Sequence, residues 1–157
     1  MQNKQHDILT ELKSIIETEL GANVGYVGYF PDDIQKIGKK YPAILIGDGD
    51  ETYELGTGTR VEYNYSIPMY IYHNVIIDRL EKMTEMQNWL IDAIEKDLTI
   101  DGNAVLVEVE SVEKGFYEQD ADKFNAGFYP NMTVRKVNFN VLVYDTRRLW
   151  KLNWKKM

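Results

Sequence analysis

The sequence predicts an α+β fold, with two helices packed on one face of a mostly antiparallel sheet of four to five strands. Three observations predict it. The first is a fourteen-residue alternating run from Arg60 to His73, RVEYNYSIPMYIYH. Val61, Tyr63, Tyr65, Ile67, Met69 and Ile71 point one way, and Glu62, Asn64, Ser66, Pro68, Tyr70 and Tyr72 the other. A period of two marks a strand with one face on a core. The second is a pair of segments, near residues 7–20 and 75–98, whose apolar residues recur with helical period. The third is the order helix, strands, helix, strands, which favours an antiparallel sheet over βαβ repeats. On this reading the sheet face away from the helices stays uncovered in an isolated chain.

The first helix is expected from Asp7 to Leu20, with Ile8, Leu9, Leu12, Ile15, Ile16 and Leu20 as its stripe and Gly21 as a left-handed cap. Val24 to Phe30 is short, aromatic and extended. Asp32 to Lys40 forms a turn of helix that ends at the Tyr41-Pro42 step. AILIG, Ala43 to Gly47, is a buried strand, and Asp48 to Gly58 is an acidic loop punctuated by glycine. The long alternating strand follows. The second helix is expected from Val75 to Leu98, with a core stripe of Leu80, Met83, Leu90, Ile91, Ile94 and Leu98. Asp78 with Glu81 would cap a later start. Asp101-Gly102 turns the chain into a strand from Val105 to about Glu113. Gly115 to Pro130 lacks periodicity. The last strand runs from Thr133 to Tyr144, with Val137, Phe139, Val141 and Val143 inward. Residues 1–145 form one expected domain and 146–157 a basic tail.

Composition narrows the function classes. The 157 residues include no cysteine, which excludes disulfides and thiolate metal sites and permits a reducing cytoplasm. No run of about 18 apolar residues exists to span a membrane, and charges interrupt the N-terminal apolar stretch as they would not in a signal peptide. The net charge is −7, of which residues 145–157 contribute +4, leaving −11 for residues 1–144. A body this acidic repels nucleic-acid phosphate.

Motifs for chemistry are weak. Gly47-Asp48-Gly49-Asp50-Glu51 resembles a calcium loop, but its sixth position lacks glycine and its twelfth is Thr59. Asp120, Asp122, Asn125 and Gly127 fail the same register test. Gly56-Thr57-Gly58 is too short to cradle phosphate and precedes a strand. His6 and His73 have no partner at ligand spacing, and neither Ser66 nor Ser111 sits in a nucleophile elbow. No catalytic residue, metal or cofactor is expected.

Protein contact is better supported. Tyr70 and Tyr72 enrich the outward face of the long strand. Trp89 lies opposite Leu80 on the second helix, an interface anchor unless the loop from Gly115 folds over it. Pro68 places its strand at an edge or at a bulge, because proline donates nothing to a ladder. Trp150 and Trp154 stand four apart among Arg147, Arg148, Lys151, Lys155 and Lys156. That tail suits an arm docking on an acidic neighbour, a membrane-surface or nucleic-acid segment, or a fold-back onto its own subunit.

Several stretches resemble the tail terminator (tail-completion) proteins of long-tailed bacteriophages and prophages. They are ILTELKSIIETEL, YPAILIGDG, YNYSIPMYIYHNVIIDRLEKMTEMQNWLIDAIEKDL, VLVEVESVE and VRKVNFNVLVYD. The resemblance reaches Asp145, and the tryptophan-containing tail lies outside it. It implies a non-enzymatic virion protein of the tail or neck, assembled in the host cytoplasm. Such a protein forms a ring, commonly a hexamer, that stops tube growth and meets the head connector. Its partners would be its own copies, the tube protein and a connector, with no membrane and no sequence-specific nucleic acid. Trp89 or the sheet edge would then serve subunit packing. Asp48, Asp50, Glu51, Phe116 and Phe128, in the two loops, would make axial contacts. The alternatives are another neck, connector or tube component, or a small α+β enzyme or ligand-binding domain.

Overall fold

The computed structural model describes residues 4–54, 61–75, 77–116 and 133–145. Phe128, Trp150, Trp154 and the Gly56–Gly58 turn lie outside them, as does the side chain of Phe116. In chain order the elements are α1 (Lys4–Leu20), β1 (Tyr26–Phe30), a 3₁₀ turn (Ile34–Lys36) and β2 (Ala43–Gly47). Then come β3 (Glu51–Glu54), β4 (Val61–His73), α2 (Arg79–Glu95), β5 (Leu106–Phe116) and β6 (Thr133–Asp145). The α+β class and the single helical face hold. The sheet has six strands rather than four or five, in the order β1-β2-β4-β6-β5, with β3 also paired to β4. The β1–β2 pair is parallel and the rest antiparallel.

The added strand is the second half of the acidic segment. Thr52 and Tyr53 sit opposite Asn64 and Tyr63, so β3 continues the path of β2 along the same side of β4. Ile46 faces Met69 and Glu51 faces Tyr65, so residues 47–50 span only residues 66–68 of β4. That is a one-residue bulge. It explains Pro68. Strand β4 is central, paired with β6 over all thirteen of its residues, so the edge alternative fails and the bulge alternative stands. Ser66 donates its N–H to the Asp50 carbonyl at 2.9 Å. Two residues on, the donorless nitrogen of Pro68 faces the same side, where the partner backbone swings away.

The alternation in β4 builds the core as expected. Tyr63, Tyr65, Ile67, Met69 and Ile71 are buried with Val137, Phe139, Val141 and Val143 of β6. Against them pack Ile8, Leu12, Ile16 and Leu20 of α1, spaced four apart on one stripe. Gly21 is not left-handed as predicted. A Cβ there would meet the Glu17 carbonyl oxygen at 2.5 Å, and the Asn23 N–H closes the helix on Leu20 O.

Helix α2 starts four residues later than the pattern suggested. Asp78 sits in the left-handed region (φ 55°) and its side chain makes no capping hydrogen bond. The buried face is Met83, Met86, Leu90, Ala93 and Ile94, rotated from the predicted stripe. Leu80 is 73% exposed and Leu98 is 43% exposed.

The loop after α2 holds Ile100, Asp101 and Gly102 at positive φ. A β-branched residue resists that conformation, yet Ile100 is fully buried. Asp97 supplies compensation: its carboxylate accepts the N–H groups of Asp101 (2.6 Å) and Thr99 (3.2 Å) and the Thr99 hydroxyl (2.9 Å). The Asp101 donor, followed by Thr99, holds the carboxyl below its ordinary 3.8. A depressed pKa stabilises the fold above the unfolded value and loses that contribution as pH falls through the folded one. Asp97→Ala is expected to cost about 1–2 kcal/mol in neutral urea melts, as loss of a capping side chain does. The gap to the parent should narrow as melts are taken below pH 3.8, and an unchanged gap would disprove the ionic part of this account.

The face opposite the helices is covered at one end, contrary to expectation. There the β1–β2 connection lays Ile34 and Ile37 over Ala43, Leu45, Tyr70, Tyr72 and Val134, flanked by Tyr26, Phe30 and Tyr41. The Phe30 and Tyr70 rings stack at 4.2 Å.

Candidate functional site

Tyr70 and Tyr72 were candidates for contact with a neighbour because they point away from the helices. The structure puts both in this second cluster, 6% and 0% exposed, so they belong to the chain's own packing. Burial raises the pKa of both phenols. The Tyr72 hydroxyl has no hydrogen-bond partner among the described residues. No period-two pattern could have announced this, because the cover comes from an aperiodic connection.

Trp89 is half-buried and leans on the main core, which brings Met86 and Ala93 inward beside it. Its remaining surface lines a cleft of about 270 Å³ with His73, Asp78, Glu81, Lys82, Glu85 and Met86. His73 is held below its ordinary pKa of 6.5 by desolvation, with Lys82 acting in the same direction, while the Asn74 hydrogen bond opposes them. The cleft joins an aromatic anchor to a charged rim, the composition of a protein-contact spot.

The described part of the acidic segment, residues 48–54, includes strand β3. Asp48 and Asp50 are exposed and Glu51 half-buried. Asp48 accepts the hydroxyl of the buried Tyr65, whose pKa is pushed up by burial first and by Asp48 second. Glu51 accepts the hydroxyl of Tyr53. These carboxylates are therefore pinned to strand ends. Among the described residues no group of three or more His, Asp or Glu is placed to hold a metal.

Beyond the second cluster, the middle of the helix-free face carries a polar ladder, and Leu106, Leu142 and Tyr144 follow it on the same face. Asn140 donates to Asn64 at 3.1 Å, and Asn138 donates to Ser111 and Glu113 at 3.0 Å each. Glu113 pairs with Lys136 at 3.2 Å; Asn138 and then Lys136 keep its carboxyl low. One feature escaped sequence reading altogether. Arg135, 5% exposed, falls on the helical face of β6 and donates to Thr84 (3.1 Å) and Gln87 (2.9 Å) of α2. Its place at an inward position of an alternating strand was the available signal. Among the described residues the edges of the sheet are β1, β3 and β5.

Comparisons with known proteins bear on the fold. No family model matches the sequence, and no curated protein matches it. Among solved structures, the chain is similar to the sheath/tube terminator of an extracellular contractile injection system, PVC, determined by cryo-EM in the extended state. The TM-score is 0.53 and the identity 13%; the match covers 88% of this chain and 55% of that one. The chain thus spans about half the length of that terminator. At this identity the likeness is one of fold.

Proposed function

We propose that this protein is a structural subunit that ends a tail tube, in a long-tailed phage or a related contractile assembly. It would close into a ring on the last tube ring, stop polymerisation and present a surface to the head connector. The observation that carries this reading is the shared fold with a sheath/tube terminator over 88% of the chain, joined to the sequence resemblance to tail terminators. A head-to-tail ring needs two different patches per subunit. The Trp89 cleft and the exposed acidic side chains Asp48 and Asp50 are suited to be two such patches, and Lys82 on the cleft rim has the opposite charge to the latter. An acidic body also lets DNA pass a lumen without adhering.

The test mixes the purified chain with the tube protein from the same genome and measures tube lengths by electron microscopy. Shorter tubes, each with a ring at one end, are expected; lengths that ignore the added chain would overturn the reading. Trp89→Ala should weaken ring assembly by about 2 kcal/mol or more per contact, read by mass photometry. Because Trp89 also leans on the core, stability should fall as well, though less than for a fully buried tryptophan. A stability loss with intact assembly would remove Trp89 from the interface.

A further inference from the structure

We infer that the Trp89 cleft of one copy receives the opposite flank of α2 from the next copy, with Leu80 inserted and Arg79 and Lys114 set against Asp78, Glu81 and Glu85. This deepens the ring reading, on which it rests, by naming the surface that fills the cleft. Helix geometry is the first support. Leu80 and Trp89 are nine positions apart on α2, which at 3.6 residues per turn is about 180° of rotation. The sheet agrees with the helix. The cleft is walled by Pro42, next to β2, and by His73 of β4, whereas a second pocket beside Leu80 is walled by Lys114 of β5 and by Thr133, Val134 and Arg135 of β6. In the strand order β2-β4-β6-β5 these walls stand on the two flanks of α2.

Charge is the second support. Asp78, Glu81 and Glu85 line the cleft against one lysine, Lys82. His73, held below its ordinary pKa, adds no charge at neutral pH. The second pocket, about 450 Å³, is lined by Arg79, Lys114 and Arg135 and by no acid. Lys114 is exposed, Arg79 half-buried and Arg135 buried, so positive charge runs from rim to floor. Leu80 stands at this pocket 73% exposed, and an apolar side chain gains by being covered. A leucine among cations matches a cleft that offers an indole and a rim of carboxylates. It complements that rim better than the carboxylates of Asp48 and Asp50 do. The sense of the contact follows from the signs. Pocket on pocket would oppose three cations to three, and like charges brought together are costly. The contact is therefore head to tail, the kind that closes into rings.

Because the two surfaces differ, a variant of each can be mixed. Leu80→Asp spoils the inserted flank and leaves the cleft, whereas Glu85→Lys spoils the cleft rim and leaves the inserted flank. Both positions are exposed, so both chains should keep the circular dichroism of the parent. Lys114→Glu, also exposed, replaces Leu80→Asp should that chain fail to fold. In sedimentation velocity each variant alone should associate about tenfold or more weakly than the parent, because a like charge now faces its own kind. An equimolar mixture should form dimers and nothing larger, since only one pair of faces is intact. Raising salt should weaken the parent assembly. Variants that assemble like the parent, or a mixture that stays monomeric, would overturn the inference and leave a ring built on other surfaces. A parent that forms no ring, in solution or on tubes, would overturn the ring reading and this contact with it.

Discussion

Replacing Phe139 by alanine is expected to destabilise the chain by about 3–5 kcal/mol, the range for a large aromatic removed from a packed interior. Phe139 is 1% exposed and lies between Ile67 on one side and Val109 on the other, in the middle strands of the sheet. Its neighbours are held by two long ladders, so the backbone has little freedom to collapse into the space left behind. The transition midpoint in urea should fall with its slope unchanged, as for a pure stability loss. A loss below about 1 kcal/mol would mean that the site relaxes, against the density expected of such a core.

Gly49→Ala should be nearly as damaging, for a steric reason. A Cβ at Gly49 would stand 2.1 Å from the Ser66 carbonyl oxygen and 3.1 Å from Pro68 Cδ. The obstruction is backbone, and Ser66 is fixed on its other side by β6 opposite Asn140. The bulge must open, and overpacking costs about 1–3 kcal/mol, with the upper end expected here because the obstruction is backbone. Pro68→Ala, which only restores a donor facing the bulge, should be far milder. Equal stability of Gly49→Ala and the parent in thermal melts would refute the account of how β2 passes into β3.

Elements that own their pattern were legible in the sequence. Alternation from Val61 to Ile71 and from Val137 to Val143 gave both central strands and their inward faces, because period two is dictated by the pleat itself. AILIG was readable as fully buried. Legibility ended where a partner decides the outcome. Glu51–Glu54 carries no strand pattern of its own and is a strand because β4 offers it a ladder. The stripe of α2 was placed about a sixth of a turn off because Leu80 and Leu98 are apolar yet exposed, while Met86 and Ala93, less conspicuous, face the core. Tyr70 and Tyr72 were read as surface because nothing in residues 31–42 advertises that it crosses their face. Trp89 leans on the core and lines the cleft, a packing that neither reading of the sequence anticipated, and residues 117–130, the loop weighed as its cover, lie outside the described residues.

The ladder between β4 and β6 also sets a schedule for the nascent chain. Val61 pairs with Asp145 and His73 with Thr133, so partners stand sixty to eighty-four positions apart. At about 5–20 residues per second, β4 leaves the ribosome several seconds before its main partner exists. Through that interval Tyr63, Tyr65, Ile67, Met69 and Ile71 form an apolar strand face of the kind that recruits other chains. Pro68 sits in the middle of it, and a donorless residue there interrupts intermolecular β-pairing. The residue accommodated by a bulge in the finished sheet is thus also a gatekeeper against aggregation while the sheet is still waiting for its last strand.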